Sequence, residues 1–266
     1  MDQGVWLQYL TPGEAVARRE RCGALLVPVA PVEWHGPHLP LGCDPLIAAA
    51  VAERAAQVLG ATAYPTLFVG TERERSPAML RAMGLPADAR IEGMDFPANI
   101  YRSFYFREEI FALLLRDLVG MARANGYRVV YIVNGHGAEN QLAVIQRLCA
   151  ELDDPKGARV AWGYAFPEEM RKGLIAHAAA EETSMLLHLA PQNVQLDQLP
   201  APPRPLRNAE FAIVDGPTFD GRPTSDFTVR PEVDPRTRSD AAAGARSLDA
   251  AAQEIVAHLR ALLTGR

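Results

Sequence analysis

Short apolar runs alternate along this chain with longer stretches in which apolar residues recur at helical spacing. Leu25 to Val29 (LLVPV) predicts a strand buried on both faces. Pro45 to Leu59 predicts a helix with proline at its start. Ala61 to Val69 reads as a second strand, and Phe104 to Asn125 as a long amphipathic helix closed by Asn125-Gly126. Arg128 to Val133 (RVVYIV), β-branched and aromatic, is the strongest strand. A helix over Asn140–Leu152, a strand over Arg159–Tyr164 and helices over Ala178–Leu189 and Asp240–Leu263 complete the pattern. Strand, loop and helix in this order predict an α/β fold: a mostly parallel sheet with helices on both faces.

Two segments break the rhythm. Gly70 to Asn99 carries charges, glycine and three prolines, and predicts a long loop. Pro191 to Arg238 is rich in Pro, Arg and Asp. It reads as a domain boundary or as a loop layer over a site, since long loops in compact domains are often functional.

Composition narrows the function classes. With 48% hydrophobic and 22% charged residues over 266 positions, the chain has the make-up of a soluble globular protein with a sizeable core. A net charge of -5 offers no basic surplus for a phosphate backbone, so no nucleic-acid partner is expected. The 3 cysteines, Cys22, Cys43 and Cys149, are odd in number and widely spaced, which fits a reducing compartment rather than a disulfide framework. No C-x-x-C pair is present to form a thiolate zinc site. The N-terminus lacks a signal pattern, and no run approaches the about 18 apolar residues of a membrane span. A cytoplasmic protein with no membrane partner is expected.

Three stretches carry chemistry. Glu33-Trp34-His35-Gly36-Pro37-His38-Leu39-Pro40, continued to Asp44, sits between a strand and a helix, at the sheet edge where α/β ligand sites form. Glu33 and His35, two apart in an extended segment, face the same side. Carboxylate with imidazole suits Zn, Mn or Fe better than Ca. Asn134-Gly135-His136-Gly137 leaves the strongest strand and brings His136 to the same edge. Asn134 and Glu139 are also accounted for as a helix cap and a first-turn acid. His177 to Ser184 opens an apolar helix, where Glu181 and Glu182 double as helix-dipole partners. Trp34, Trp162 and Tyr164 fall near this edge, either walling a substrate pocket or packing in the core. The polar loop with Glu72, Arg73, Glu74, Arg75, Tyr101, Arg102 and Tyr105 faces a substrate or another subunit.

These stretches resemble the creatininase family of metal-dependent amidohydrolases. Glu33 to Pro40 matches its E-x-H-G-x-H-L-P motif, and Gly42-Cys43-Asp44 its G-T-D, departing only at Cys43. Asn134 to Gly137 is its N-G-H-G, and Glu182-Thr183-Ser184 its E-T-S. Asp234-Pro235-Arg236, followed by Ala241 and Gly244, looks like its D-P-R segment. The resemblance covers about residues 10 to 262 and implies a single three-layer αβα domain over 1–266. It implies two divalent ions per subunit, Zn, Mn or Fe. Glu33 and His136 would hold one ion and His35 the other, Asp44 would bridge, and Glu182 would be an additional ligand. His177 would act with Glu182 in catalysis, giving a proton to the leaving nitrogen. Two cations about 3.5–4 Å apart can hold a bridging hydroxide and polarise a carbonyl. The implied reaction is hydrolysis of an amide or lactam C–N bond in a small polar molecule. The alternatives within the family are opening of a cyclic ketone C–C bond and a metal-binding member without catalysis. The family is typically hexameric, which implies a homo-oligomer. Ala138 stands where creatininase carries a ligand Glu, so creatinine is not the expected substrate. A dinucleotide-dependent oxidoreductase is disfavoured, because no G-x-G-x-x-G follows the first strand.

Overall fold

A computed structural model describes residues 3–82, 85–96, 99, 101–172, 177–206, 208–209, 212–213 and 231–265. Its strands are β1 (Ala24–Val29), β2 (Thr62–Ala63), β3 (Val129–Asn134), β4 (Arg159–Tyr164), β5 (Asn208–Ala209) and β6 (Ala212–Ile213). Its α-helices are α1 (Pro12–Cys22), α2 (Cys43–Leu59), α3 (Pro77–Ala82), α4 (Glu108–Ala124), α5 (Glu139–Leu152), α6 (Glu168–Lys172), α7 (Ala180–Leu189), α8 (Pro235–Arg238) and α9 (Ala241–Thr264). The first four strands form one parallel sheet in the order β2-β1-β3-β4, and β5 and β6 a separate antiparallel pair.

The alternation of side chains along β1 explains the layers. Ala24 and Leu26 join Val129, Tyr131 and Val133 of β3 in a core closed by α2, α7 and α9. Leu25, Val27 and Val29 join Val130 and Ile132 in a second core under α4 and α5. Both sheet faces are therefore apolar, which is why these strands read as continuous hydrophobic runs. A third cluster of Trp34, Leu80, Leu85, Ile91, Met94 and Phe96 lies within the loop region that the sequence left without elements.

Two element boundaries differ from expectation by more than two residues. The second strand keeps only Thr62–Ala63. Tyr64 N–H donates to Leu26 O and Leu67 N–H to Pro28 O, three positions on one side against two on the other. The chain bulges at Pro65, which has no N–H to give the ladder. The fourth helix begins at Glu108 rather than Phe104. Phe104 N–H donates to Val32 O and Phe106 N–H to Gly70 O, both at 2.8 Å, so this stretch is held extended between the loops after β1 and β2.

Val29, Asn134 and Tyr164 are paired in one row across the sheet, so the loops after β1 and β3 leave side by side. On the α2 side, α7 lies against α9: Asp240 N–H donates to Ser184 Oγ of α7, and the Asp240 side chain caps α9 through Ala242 and Ala243 N–H. Leu248, Ala251, Ala252, Ile255, Val256 and Leu259 of α9 are all buried. Among the described residues no helix is long and apolar enough to cross a membrane.

Candidate metal centre

The loop after β1 folds back on itself, with Glu33 N–H donating to Leu41 O at 2.9 Å and Cys43 N–H to Pro40 O at 3.0 Å. This turns Glu33 and His35 inward, where they are 1% and 0% exposed. Asp44 lies in the first turn of α2, where free backbone N–H groups favour a carboxylate. The turn after β3 is shaped by Asn134. Its Nδ2 donates to His136 O at 2.6 Å, and its Oδ1 accepts from Gln141 Nε2 at 2.7 Å. Asn134 therefore clamps the turn rather than capping α5, whose N-cap is Ala138.

These elements bring Glu33, His35, Asp44 and His136 together. Asp44 stands between the two histidines, with Oδ1 2.9 Å from His35 Nε2 and Oδ2 3.1 Å from His136 Nδ1. Glu33 Oε2 lies 3.3 Å from His136 Nδ1 and 3.9 Å from His35 Nε2. Three sets have their donor atoms within 4.8 Å of one another: Glu33–Asp44–His136, His35–Cys43–Asp44 and Glu33–His35–His177. Glu33 Oε2 and His136 Nε2 are buried without a hydrogen-bond partner. Buried, underpaired nitrogen and oxygen donors at this spacing fit divalent transition metals.

Electrostatics bind the cluster tightly. Burial alone would discharge His35, but Asp44 above all, with Glu182 and Glu33, outweighs it and lifts the ring to about 10. His136 is likewise raised well above its usual range against burial, chiefly by Glu33 and Asp44. Burial opposes ionisation of Glu33 too, yet the charge and hydrogen bond of His136 above all, with the charge of His35, hold it well below the carboxylate range. Tyr105 OH donates to Glu33 Oε1 at 2.6 Å.

Glu182, in the first turn of α7, lines the same cavity but is in none of the three ion-sized sets. Its Oε2 accepts Ala178 N–H at 2.6 Å, and burial raises it to about 7. His177 differs from the expected near-neutral titration. Burial, reinforced by the charge on His35, pushes it down to about 4, so its ring is neutral. Its Nε2 donates to Trp34 O at 2.7 Å, leaving Nδ1 as an acceptor 4.0 Å from Glu33 Oε2. His38 is pushed to about 3 by burial and ties the loop to α7 through Thr183 Oγ1.

A cavity of about 740 Å³ is lined by Glu33, Asp44, His136, His177 and Glu182, together with Tyr164, Phe166 and Arg171. The Arg171 guanidinium lies over the Tyr164 ring, 5.0 Å from its centre. Neither Trp34 nor Trp162 lines this cavity. Trp34 packs edge-on against Phe96 and serves the site through its carbonyl, while Trp162 packs on the α4–α5 core and against Tyr164. Of the polar loop, Glu72, Arg73, Glu74 and Arg75 line the cavity, whereas Tyr101 is exposed. The sequence placed Tyr105 only in a loop facing a substrate or another subunit, because nothing in the spacing links it to Glu33. The extended pairing of Phe104 with Val32 is what aims it there.

Residues 8–259 match the family model Creatininase, described as creatinine amidohydrolase. The chain belongs to the creatininase family. Among family relatives, it is 32% identical over 180 residues to a mycofactocin precursor peptide peptidase of Mycobacterium ulcerans. That match takes in 67% of this chain and 63% of the peptidase, so the chain spans less than two thirds of the relative's length. It is 23% identical over 193 residues to the creatinine amidohydrolase of Pseudomonas putida, covering 66% of this chain and 67% of that one. The fold agrees with the solved structure of manganese creatininase at a TM-score of 0.66 and 22% identity, over 96% of this chain and 97% of that one. The parallel sheet with helices on both faces is thus the creatininase fold.

Proposed function

We propose that this chain is a two-metal hydrolase that cleaves the C–N bond of an amide, in a peptide-like or other small polar substrate. The observation that carries the reading is Asp44, which offers one oxygen toward His35 and the other toward His136. Glu33, Asp44 and His136 would hold one ion, and His35 with Asp44 the other, with Glu182 as a further carboxylate at the cavity wall. Bound divalent cations there supply Lewis acidity toward a carbonyl and lower the pKa of water.

The chain's own residues supply positioning and proton transfer. His177 keeps its proton on Nε2, against the Trp34 carbonyl, and offers Nδ1 to the cavity as an acceptor. A proton taken at Nδ1 is then available to the leaving nitrogen, as general acid–base catalysis requires. Tyr105 holds Glu33 from behind, and His38 anchors the loop to α7. Arg171 and Tyr164 form a cation–aromatic rim suited to a polar substrate.

Relatives that include a peptide peptidase support an amide or peptide substrate. Ala138, in place of a ligand Glu, speaks against creatinine. The test is metal analysis of the purified chain, with kcat/KM for creatinine, lactams and short peptide amides. Up to two ions per chain are expected, with creatinine below about 10⁴ M⁻¹s⁻¹, the lower range for a native substrate. Absence of bound metal, together with no hydrolysis across the panel, would overturn the reading.

A further inference from the structure

His136 has two ring nitrogens with different surroundings. Nδ1 faces inward, 3.1 Å from Asp44 Oδ2 and 3.3 Å from Glu33 Oε2. Nε2 points away from that pair and is buried without a hydrogen-bond partner. The carboxylate facing it is Glu72, whose Oε2 lies 3.8 Å away. That is about 0.9 Å longer than an ordinary N–H···O bond, a gap one side-chain torsion can close.

Glu72 belongs to none of the sequence motifs, yet the fold delivers it deliberately. Its neighbour Thr71 donates its N–H to Gln141 Oε1 at 2.8 Å. Gln141 Nε2 donates in turn to Asn134 Oδ1, and Asn134 Nδ2 donates to His136 O. One side-chain relay thus joins the backbone beside Glu72 to the backbone of His136. A second device seats the side chain. Gly93, at φ +55°, packs so closely that a Cβ there would lie 2.6 Å from Glu72 Cγ and 2.4 Å from Tyr105 OH. The same glycine makes room for the residue that bonds Glu33 and for the one that faces His136.

We infer that Glu72 is a positioning residue: it accepts the Nε2–H of His136 and fixes the tautomer whose Nδ1 lone pair faces a bound cation. A neutral imidazole carries one proton, so an acceptor at Nε2 leaves Nδ1 free to ligate. Carboxylate partners of this kind orient metal-bound histidines and raise their basicity. The inference rests on the metal-hydrolase reading above. The opposed reading is that Glu72, a cavity-lining residue, only contacts substrate.

The experiment titrates the metal-stripped protein with Mn²⁺ and Zn²⁺ against a competing chelator, for wild type, Glu72→Gln and Glu72→Leu. The ¹⁵N shifts of the His136 ring are recorded in the loaded wild type. Glu72→Leu should weaken one of the two ions by roughly tenfold or more and leave the other unchanged. Glu72→Gln, which keeps a neutral acceptor, should fall between. The His136 ring should carry its proton on Nε2. If both variants keep wild-type affinity for both ions while KM alone rises, Glu72 is a substrate contact and the inference is wrong. Ligation through Nε2 would also overturn it. Should Glu72→Leu fail to fold, the near-isosteric Glu72→Gln still decides through its affinity. If the wild type binds neither metal, the metal reading itself falls, and this inference with it.

Discussion

Gly135 lies so close to the main-chain carbonyl of Asp44 that a Cβ on it would sit 2.6 Å from that oxygen. The same atom would be 3.1 Å from Ala48 Cβ and 3.2 Å from Ala30 Cβ. The end of β3 therefore rests directly on the start of α2, and this contact brings the His136 ring within 3.1 Å of the Asp44 carboxylate. Gly135→Ala must push the two apart. It should cost about 1–3 kcal/mol of stability, the usual scale of overpacking, and should loosen metal binding. Urea unfolding and metal retention after dialysis check both; unchanged values in both would show that the contact relaxes freely.

Tyr105→Phe removes one hydroxyl and leaves Glu33 Oε1 without its 2.6 Å donor. A buried hydrogen bond to a charged group contributes about 1.5–3 kcal/mol. A fall of that size in the metal-free protein, with weaker binding of one ion, is the expected outcome. Thermal unfolding with and without metal measures it.

Asp44→Asn keeps the size of the side chain and removes the charge that faces two histidines. One end of the amide becomes an N–H₂ group, which cannot accept from or ligate beside His35 and His136 together. At least one ion should be lost. Losing several kcal/mol of cation chemistry corresponds to a drop in turnover of upwards of about 100-fold. Circular dichroism should show the fold intact. Two retained ions and normal turnover would remove Asp44 from the bridging position.

Metal loading should expel protons. His35, raised to about 10, and His136, raised well above its usual range, are both imidazolium in the metal-free protein at pH 7. Ligation requires neutral rings. Calorimetric titration in two buffers of different ionisation enthalpy should report about two protons released at pH 7. The same shifts set a stability trend. A histidine raised on folding stabilises fully below its unfolded value of about 6.5, and loses that contribution as pH rises through its folded value. The metal-free protein should accordingly lose thermal stability between pH 7 and about 10, while loaded protein should change less.

Much of this arrangement is legible in the chain because it is local. The runs around β1, β3 and β4 are apolar on both faces, so they announce a buried parallel sheet. Glu33, His35, Asp44 and His136 sit in Gly- and Pro-bearing segments directly after strands, which sends them to one edge. What the sequence hides depends on partners far along the chain. Phe104 to Phe106 has helical periodicity, but Val32 and Gly70 capture its N–H groups and hold it extended. Trp34 stands in the motif beside two ligand candidates, yet a cluster built from residues 80–96 claims its ring. His177 has an ordinary imidazole in isolation; its neutral ring comes from burial and from the charge of His35, neither of which spacing reveals.

The packing of α7 against α9 also fixes when the molecule can first become competent. Glu182 rides on a helix that packs on α2 and on α9, which is capped by Asp240. At about 5–20 residues per second, a ribosome needs on the order of ten seconds to travel from Glu182 to the end of α9. Throughout that interval the segments bearing Glu33 and His136 are already made, while the helix bearing Glu182 has α2 to pack on but not yet α9. A nascent chain halted before α9 should therefore hold the sheet but not the finished cavity, whose Glu182 wall is braced only once α9 has been made.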